Sequence, residues 1–159
     1  MDGRERIRIV VVAIGSTDLD LAISISGKLE KKCYGLIEAF VPVWKEHVSL
    51  SGFNIENGMY NAMYVADQIY EKYRVLVEDY DAIVVGLFDT RGFLDNDKPV
   101  ALYTDKDSRI ILVFTGALKD DNDYLLEEKV LRTVLEGLSR IGMKVNCDCP
   151  PRSIEESSF

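Results

Sequence analysis

An apolar, β-branched run, Ile7–Ile14, opens the chain and stops at Gly15, the composition of a strand buried on both faces. Ser16, Thr17 and Asp18 then supply helix N-cap chemistry, with Asp20 able to reach back toward Thr17. Leu19, Ala22, Ser26, Leu29 and Cys33 follow at helical spacing, which predicts a first helix ending near Gly35. Residues 36–44 read as a second strand, one at an edge or one cut short at Pro42. After a loop through His47 and Gly52, the positions Ala62, Val65, Ala66, Ile69, Tyr73 and Leu76 make the stripe of a second helix, starting at Asn61.

Residues 81–88 are again an uninterrupted apolar strand, and the polar stretch 89–98, with Gly92 inside it, reads as the longest surface loop. Residues 99–103 and 110–114 flank Thr104-Asp105-Lys106-Asp107-Ser108 and predict a hairpin with an Asp- and Ser-rich turn. A long helix from about Asp123 to Gly142 buries Leu131, Val134, Leu135, Leu138 and Ile141. The fold class is α/β, a mixed, mostly parallel sheet with flanking helices in the order β-α-β-α-β-β-β-α. One domain is expected over residues 1–146. A flexible tail with Cys147, Cys149, Pro150 and Pro151 follows over 147–159, too poor in apolar surface to fold alone.

Composition narrows the function classes. At 159 residues, 47% hydrophobic and 29% charged, the chain has the balance of one globular domain with a genuine core. Its net charge of −8 disfavours a phosphate backbone, so nucleic acid is not an expected partner. No apolar run approaches the roughly 20 residues of a membrane span. The polar start Met1-Asp2-Gly3-Arg4-Glu5 does not resemble a signal peptide, so a cytoplasmic location is expected. Three scattered cysteines, Cys33, Cys147 and Cys149, are not the framework of a small secreted protein and are expected as thiols. His47 is the only histidine, which excludes a self-contained two-histidine zinc site. Neither a GxGxxG nor a GxxxxGK[ST] loop occurs, which leaves a small-ligand site at the strand ends without a motif.

Four stretches resemble the archaemetzincin family of zinc metallopeptidases. They are the opening strand with Ile14-Gly15 and its acidic helix start, Tyr60-Asn61-Ala62, the strand and acidic turn from Val84 to Thr90, and the helix from Glu127 to Met143. The resemblance implies a metzincin-like (zincin-like) fold and a helix carrying HExxHxxGxxHC. Laid on this sequence, that motif puts Leu135 and Ser139 at the two helical histidines, Glu136 at the general base and Gly142 at the turn glycine. The third histidine position falls on Val145 and the following cysteine position on Asn146, with Cys147 one place late. In such a site, histidines one turn apart hold an ion that lowers the pKa of bound water from about 15.7 toward about 7.

The expectation is an archaemetzincin-like chain without the HExxH zinc site, a proteolytically inactive binding or regulatory scaffold. Its partner would be a peptide or protein added along the edge segment 99–103 through Val100 and Leu102, with Tyr60 and Asn61 as further binding candidates. Each residue also has a purely structural role open to it. Leu135 fits the core stripe, Glu136 a solvated ladder with Arg132 and Arg140, and Gly142 a helix end. Tyr60 fits a half-buried aromatic, Asn61 a helix start, Cys33 a small buried hydrophobe and His47 a loop histidine. No cofactor is expected. Zinc enters only as the alternative of a composite site from Cys147, Cys149 and His47, or one shared across a homodimer, which would restore a metal-dependent hydrolase. A further alternative is an enzyme that holds magnesium on the acidic loop 89–97 through Asp89, Asp95 and Asp97, beside Arg91.

Overall fold

The computed structural model describes residues 6–33, 35–119 and 125–143. Five strands form the main sheet: β1 (Ile7–Ile14), β2 (Ile37–Phe40), β5 (Ile83–Phe88), β8 (Leu102–Asp105) and β9 (Ile110–Phe114), in the spatial order β2-β1-β5-β9-β8. All pair in parallel except β8, which lies antiparallel on β9 at the edge. With helices α1 (Leu19–Lys32), α2 (Ala62–Tyr80) and α3 (Leu126–Arg140), this layer runs β-α-β-α-β-β-β-α along the chain. A mixed, mostly parallel sheet flanked by helices is therefore what forms.

Side chains alternate along β1 as a two-sided strand requires. Ile9, Val11 and Ala13 join a core with Ile25 and Leu29 of α1 and Val130, Val134 and Leu138 of α3. Val10, Val12 and Ile14 join a second core with Val65, Ile69 and Tyr73 of α2. The sheet is thus covered by α1 and α3 on one face and α2 on the other. No helix among the described residues is long and apolar enough to cross a membrane.

A second sheet is absent from the sequence-based expectation. Strands β3 (Phe53–Asn54), β4 (Met59–Asn61), β6 (Gly92–Leu94) and β7 (Lys98–Val100) make a small four-stranded layer in the order β3-β4-β6-β7. Strands of two or three residues carry too little alternation to be read from sequence. The stretch 89–98 is accordingly no simple loop: it holds β6 and a 3-10 turn at Asp95–Asp97. The segment 99–103 is no single strand either. Val100 pairs with Gly92 in the small sheet and Leu102 with Val113 in the large one, and the chain changes sheet at Ala101, whose carbonyl accepts the Phe114 N–H at 2.9 Å. The second strand is shorter than expected, stopping at Phe40 before Pro42. The expected tail 147–159, with Cys147 and Cys149, lies outside the described residues.

Candidate functional site

Helix α3 ends as its sequence asks. Gly142 has φ +88°, the Met143 N–H donates to the Leu138 carbonyl at 2.9 Å, and the Gly142 N–H donates to that of Ser139 at 3.0 Å. This is a Schellman stop, and it satisfies carbonyls that the helix leaves over. Glu136 is an exposed residue bonded to Arg140 at 2.6 Å, four positions on. With the two side chains 58% and 51% exposed, the pair is a solvated rung of small energetic weight. Leu135 packs, half-buried, against the core shared with α1, while Ser139 is exposed. An apolar leucine and a solvated serine do not fit a zinc ion, and among the described residues no group of three His, Cys, Asp or Glu stands close enough to hold a metal.

The edge candidates divide by role. Leu102 is 9% exposed and belongs to the core beneath α3, and Val100 packs into the core on the α2 face. Their side chains therefore pack inward, and β8 is an edge strand of the main sheet among the described residues. The turn beyond β8 is tied by Asp105 Oδ1, which accepts the N–H groups of Asp107 at 3.0 Å and Ser108 at 3.4 Å. Burial, followed by the carboxylates of Asp105 and Asp67, pushes the Tyr103 phenol up. Asn61 caps α2, accepting from Met63 N at 3.0 Å and Tyr64 N at 3.2 Å. Tyr60 is half-buried between Phe53 and Phe88, with ring centroids 4.9 and 4.8 Å away.

The carboxyl ends of β1, β5 and β9 bring together residues that the sequence left scattered. Thr17, Asp18, Asp89, Thr115, Lys119 and Glu127 border one pocket of about 370 Å³ on the α1 and α3 face. Asp89 also borders a second, of about 300 Å³, on the α2 face, with Ser16, His47, Tyr60 and Phe88. Asp89 Oδ1 is paired with Lys119 Nζ at 2.8 Å. Glu127 accepts Lys28 at 2.6 Å and Ser24 at 2.9 Å, and these bonds hold its carboxyl below the usual range against the opposing effect of burial.

The acidic loop does not converge. Asp89 faces Lys119, Asp97 takes a bond from Asn57 Nδ2 at 3.4 Å, and Asp95 and Arg91 are exposed. His47 is exposed on the wall of the smaller pocket. Its neighbour Glu46, unremarked in the sequence, is buried. It accepts Tyr73 Oη at 2.6 Å and Trp44 Nε1 at 2.7 Å, with Lys72 Nζ at 3.6 Å. No spacing rule links positions 44, 46, 72 and 73, because the network joins a loop to a helix.

At Cys33 the expectation of a thiol is corrected: this cysteine is disulfide-bonded. It is 1% exposed at the C-cap of α1. An odd, scattered cysteine count argues against a framework of several bridges, but one bridge needs only two residues.

No family model matches the sequence, and no curated protein matches it. Solved structures do. The zinc-dependent peptidase from Methanocorpusculum labreanum superposes with a TM-score of 0.66 at 10% identity, over 84% of this chain and 80% of that one. The archaemetzincin from Methanopyrus kandleri gives 0.64 at 15% identity, over 87% and 74%. That from Archaeoglobus fulgidus, solved with malonate, gives 0.65 at 14% identity, over 85% and 77%. The chain therefore has a fold similar to that of the archaemetzincins.

Proposed function

We propose that this chain is a proteolytically inactive binding scaffold on an archaemetzincin-like fold, which takes an extended peptide or protein segment along the free edge of β8. The observation that carries the reading is Leu135, half-buried against the core at a position where the family resemblance calls for a metal-binding histidine. A half-buried isobutyl group packed on the core contributes to stability there and offers no lone pair to a metal. Glu136, at the general-base position, is spent on Arg140.

The binding half of the proposal rests on β8, the last strand of the main sheet, whose outer edge has no strand beside it among the described residues. A partner strand would gain main-chain hydrogen bonds there. The disulfide at Cys33 favours an oxidising setting, or a chain built for high temperature, over an ordinary reducing cytoplasm.

The test is elemental analysis of protein purified in zinc without a histidine tag, paired with a peptidase assay. The proposal expects less than about a tenth of an equivalent of zinc and no cleavage. Near one equivalent together with peptide cleavage would overturn it. Hydrogen exchange then addresses the edge: a bound peptide slows exchange at the β8 amides, and unchanged exchange at saturating peptide would sink the edge-pairing half.

A further inference from the structure

The hairpin joining β3 to β4 carries the chain's only Asn-Gly dipeptide, Asn57-Gly58. Asn54 pairs with Met59 across it, so residues 55–58 are a four-residue loop. When glycine follows asparagine, its backbone nitrogen reaches the side-chain amide with no Cβ in the way. Each of the chain's other asparagines, at positions 54, 61, 96, 122 and 146, precedes a residue with a side chain.

The loop positions both reacting groups. Gly58 is exposed at φ +68°, and its N–H donates to the Asn54 carbonyl at 2.9 Å. Asn57 is half-buried: its Oδ1 accepts the Met59 N–H at 2.9 Å, and its Nδ2 donates to Asp97 Oδ1 at 3.4 Å. Asn54 Oδ1 in turn accepts the N–H groups of Glu56 at 2.9 Å and Asn57 at 3.3 Å. The Met59 N–H polarises the Asn57 side-chain carbonyl toward attack, as a donor aimed at a developing oxyanion does. The bond to Asn54 opposes attack, because it occupies the Gly58 N–H whose proton must leave. A short surface loop opens far more often than a whole domain unfolds, so that restraint is intermittent.

We propose that Asn57 is a site of spontaneous modification, gated by opening of its own hairpin. With the Gly58–Asn54 bond open and the Gly58 N–H proton passed to water, the nitrogen bonds to Asn57 Cγ. The Cγ–Nδ2 bond breaks, ammonia leaves with a proton taken from water, and a cyclic imide closes. Water then opens the imide at either carbonyl, so that aspartate or isoaspartate replaces the amide. The product sets a carboxylate where Nδ2 faced Asp97, turning a hydrogen bond into a like-charge contact. The 3-10 turn that holds Asp97 leads directly into β7, so modification loosens the tie between the hairpin and the far edge of the small sheet. None of this depends on a metal or on the edge of β8.

Peptide mapping by mass spectrometry follows the conversion of amide to acid during incubation at mildly alkaline pH. In urea, Asn57 should convert first among the asparagines; in the folded protein it should convert at least tenfold more slowly. Gly58→Asn adds a Cβ with a residue that tolerates the left-handed conformation, and should slow conversion at least tenfold in urea as well as in the folded protein. Asn54→Ala takes the acceptor from the Glu56 and Asn57 N–H groups, and should speed conversion at least threefold in the folded protein while leaving the rate in urea unchanged. That contrast separates a loosened loop from altered chemistry. Asn57→Asp should speed hydrogen exchange at the Gly58 amide, and adding Asp97→Asn should restore it. The proposal is overturned if Asn57 keeps its amide throughout native incubation, if folded and urea-unfolded rates agree, if folded Asn54→Ala converts at the parent's rate, or if Gly58 exchange is the same in parent and Asn57→Asp.

Discussion

The hydroxyl of Thr17 joins the ends of two neighbouring strands: it donates to the Ile14 carbonyl at 2.6 Å and accepts the Asp89 N–H at 2.7 Å. Thr17 is 1% exposed, so water cannot take over either bond. Replacement by valine keeps the shape and leaves both backbone groups without this partner. The expected loss is about 1–3 kcal/mol in urea unfolding, with Thr17→Ser recovering most of it. A neutral valine variant would mean that the two loops are held together by other contacts.

Glu46 ties the loop after β2 to α2, and its charge makes the tie depend on pH. Burial raises its pKa, but the bonds from Tyr73 and Trp44 and the charge of Lys72 outweigh this and hold it below the ordinary 4.5. A folded-state pKa below the unfolded value adds stability that is fully present above about 4.5 and lost as pH falls through the folded value. Glu46→Gln should flatten that part of the acid-unfolding curve. Glu46→Leu should cost about 1–3 kcal/mol at neutral pH, because Tyr73 Oη and Trp44 Nε1 lose their acceptor. Equal acid sensitivity in parent and glutamine variant would locate the acid response elsewhere.

Gly137 lets α3 lie close on the sheet. A Cβ at this position would come within 2.6 Å of Ile111 Cγ2 and 3.3 Å of Leu102 Cδ1. Alanine would favour the helix by about 1 kcal/mol, but overpacking a fixed core costs about 1–3 kcal/mol, so Gly137→Ala should be destabilising on balance. Thermal unfolding decides the sign. A stabilised variant would show that α3 can lift from β8 and β9 at little cost.

What the sequence made legible follows from period and length. The stripes of α2 and α3, the two-sided run of β1 and the cap at Asn61 are strong local signals, and they recover the helices and the main-sheet strands. The small sheet was not legible, since β3 spans two residues and β4, β6 and β7 three each. At the strand ends, Thr17 is 72 residues from Asp89 and Glu46 is 27 from Tyr73, separations that no local pattern encodes. Glu136, Leu135 and Gly142 were readable in their structural roles because a helix fixes which neighbours they meet.

Cys33 is disulfide-bonded. Removing a native disulfide from a small domain costs about 2–5 kcal/mol. Reduction should therefore lower the urea midpoint, and Cys33→Ser should do so with or without reductant. Peptide mapping without reduction identifies the bonded cysteine. An unchanged midpoint on reduction would mean that native-state strain cancels the entropy gained by cross-linking.

The assignment of residues 135 and 139 to histidine positions can be tested by putting histidines there. Positions four apart lie on one helix face, so Leu135→His with Ser139→His places two imidazoles within reach of one ion, and Glu136 stays adjacent in sequence. The double variant should lose about 2–4 kcal/mol without metal, because Leu135 packs against the core. Zinc should return part of that loss, since an ion that binds only the folded state stabilises in proportion to the logarithm of its concentration over Kd. The parent, with Leu135 and Ser139 in place, should show no such response. A calorimetric scan with and without zinc reads both effects: a zinc-dependent rise confined to the double variant supports the register, and its absence in a folded double variant places the metal-binding face of the related fold elsewhere on α3.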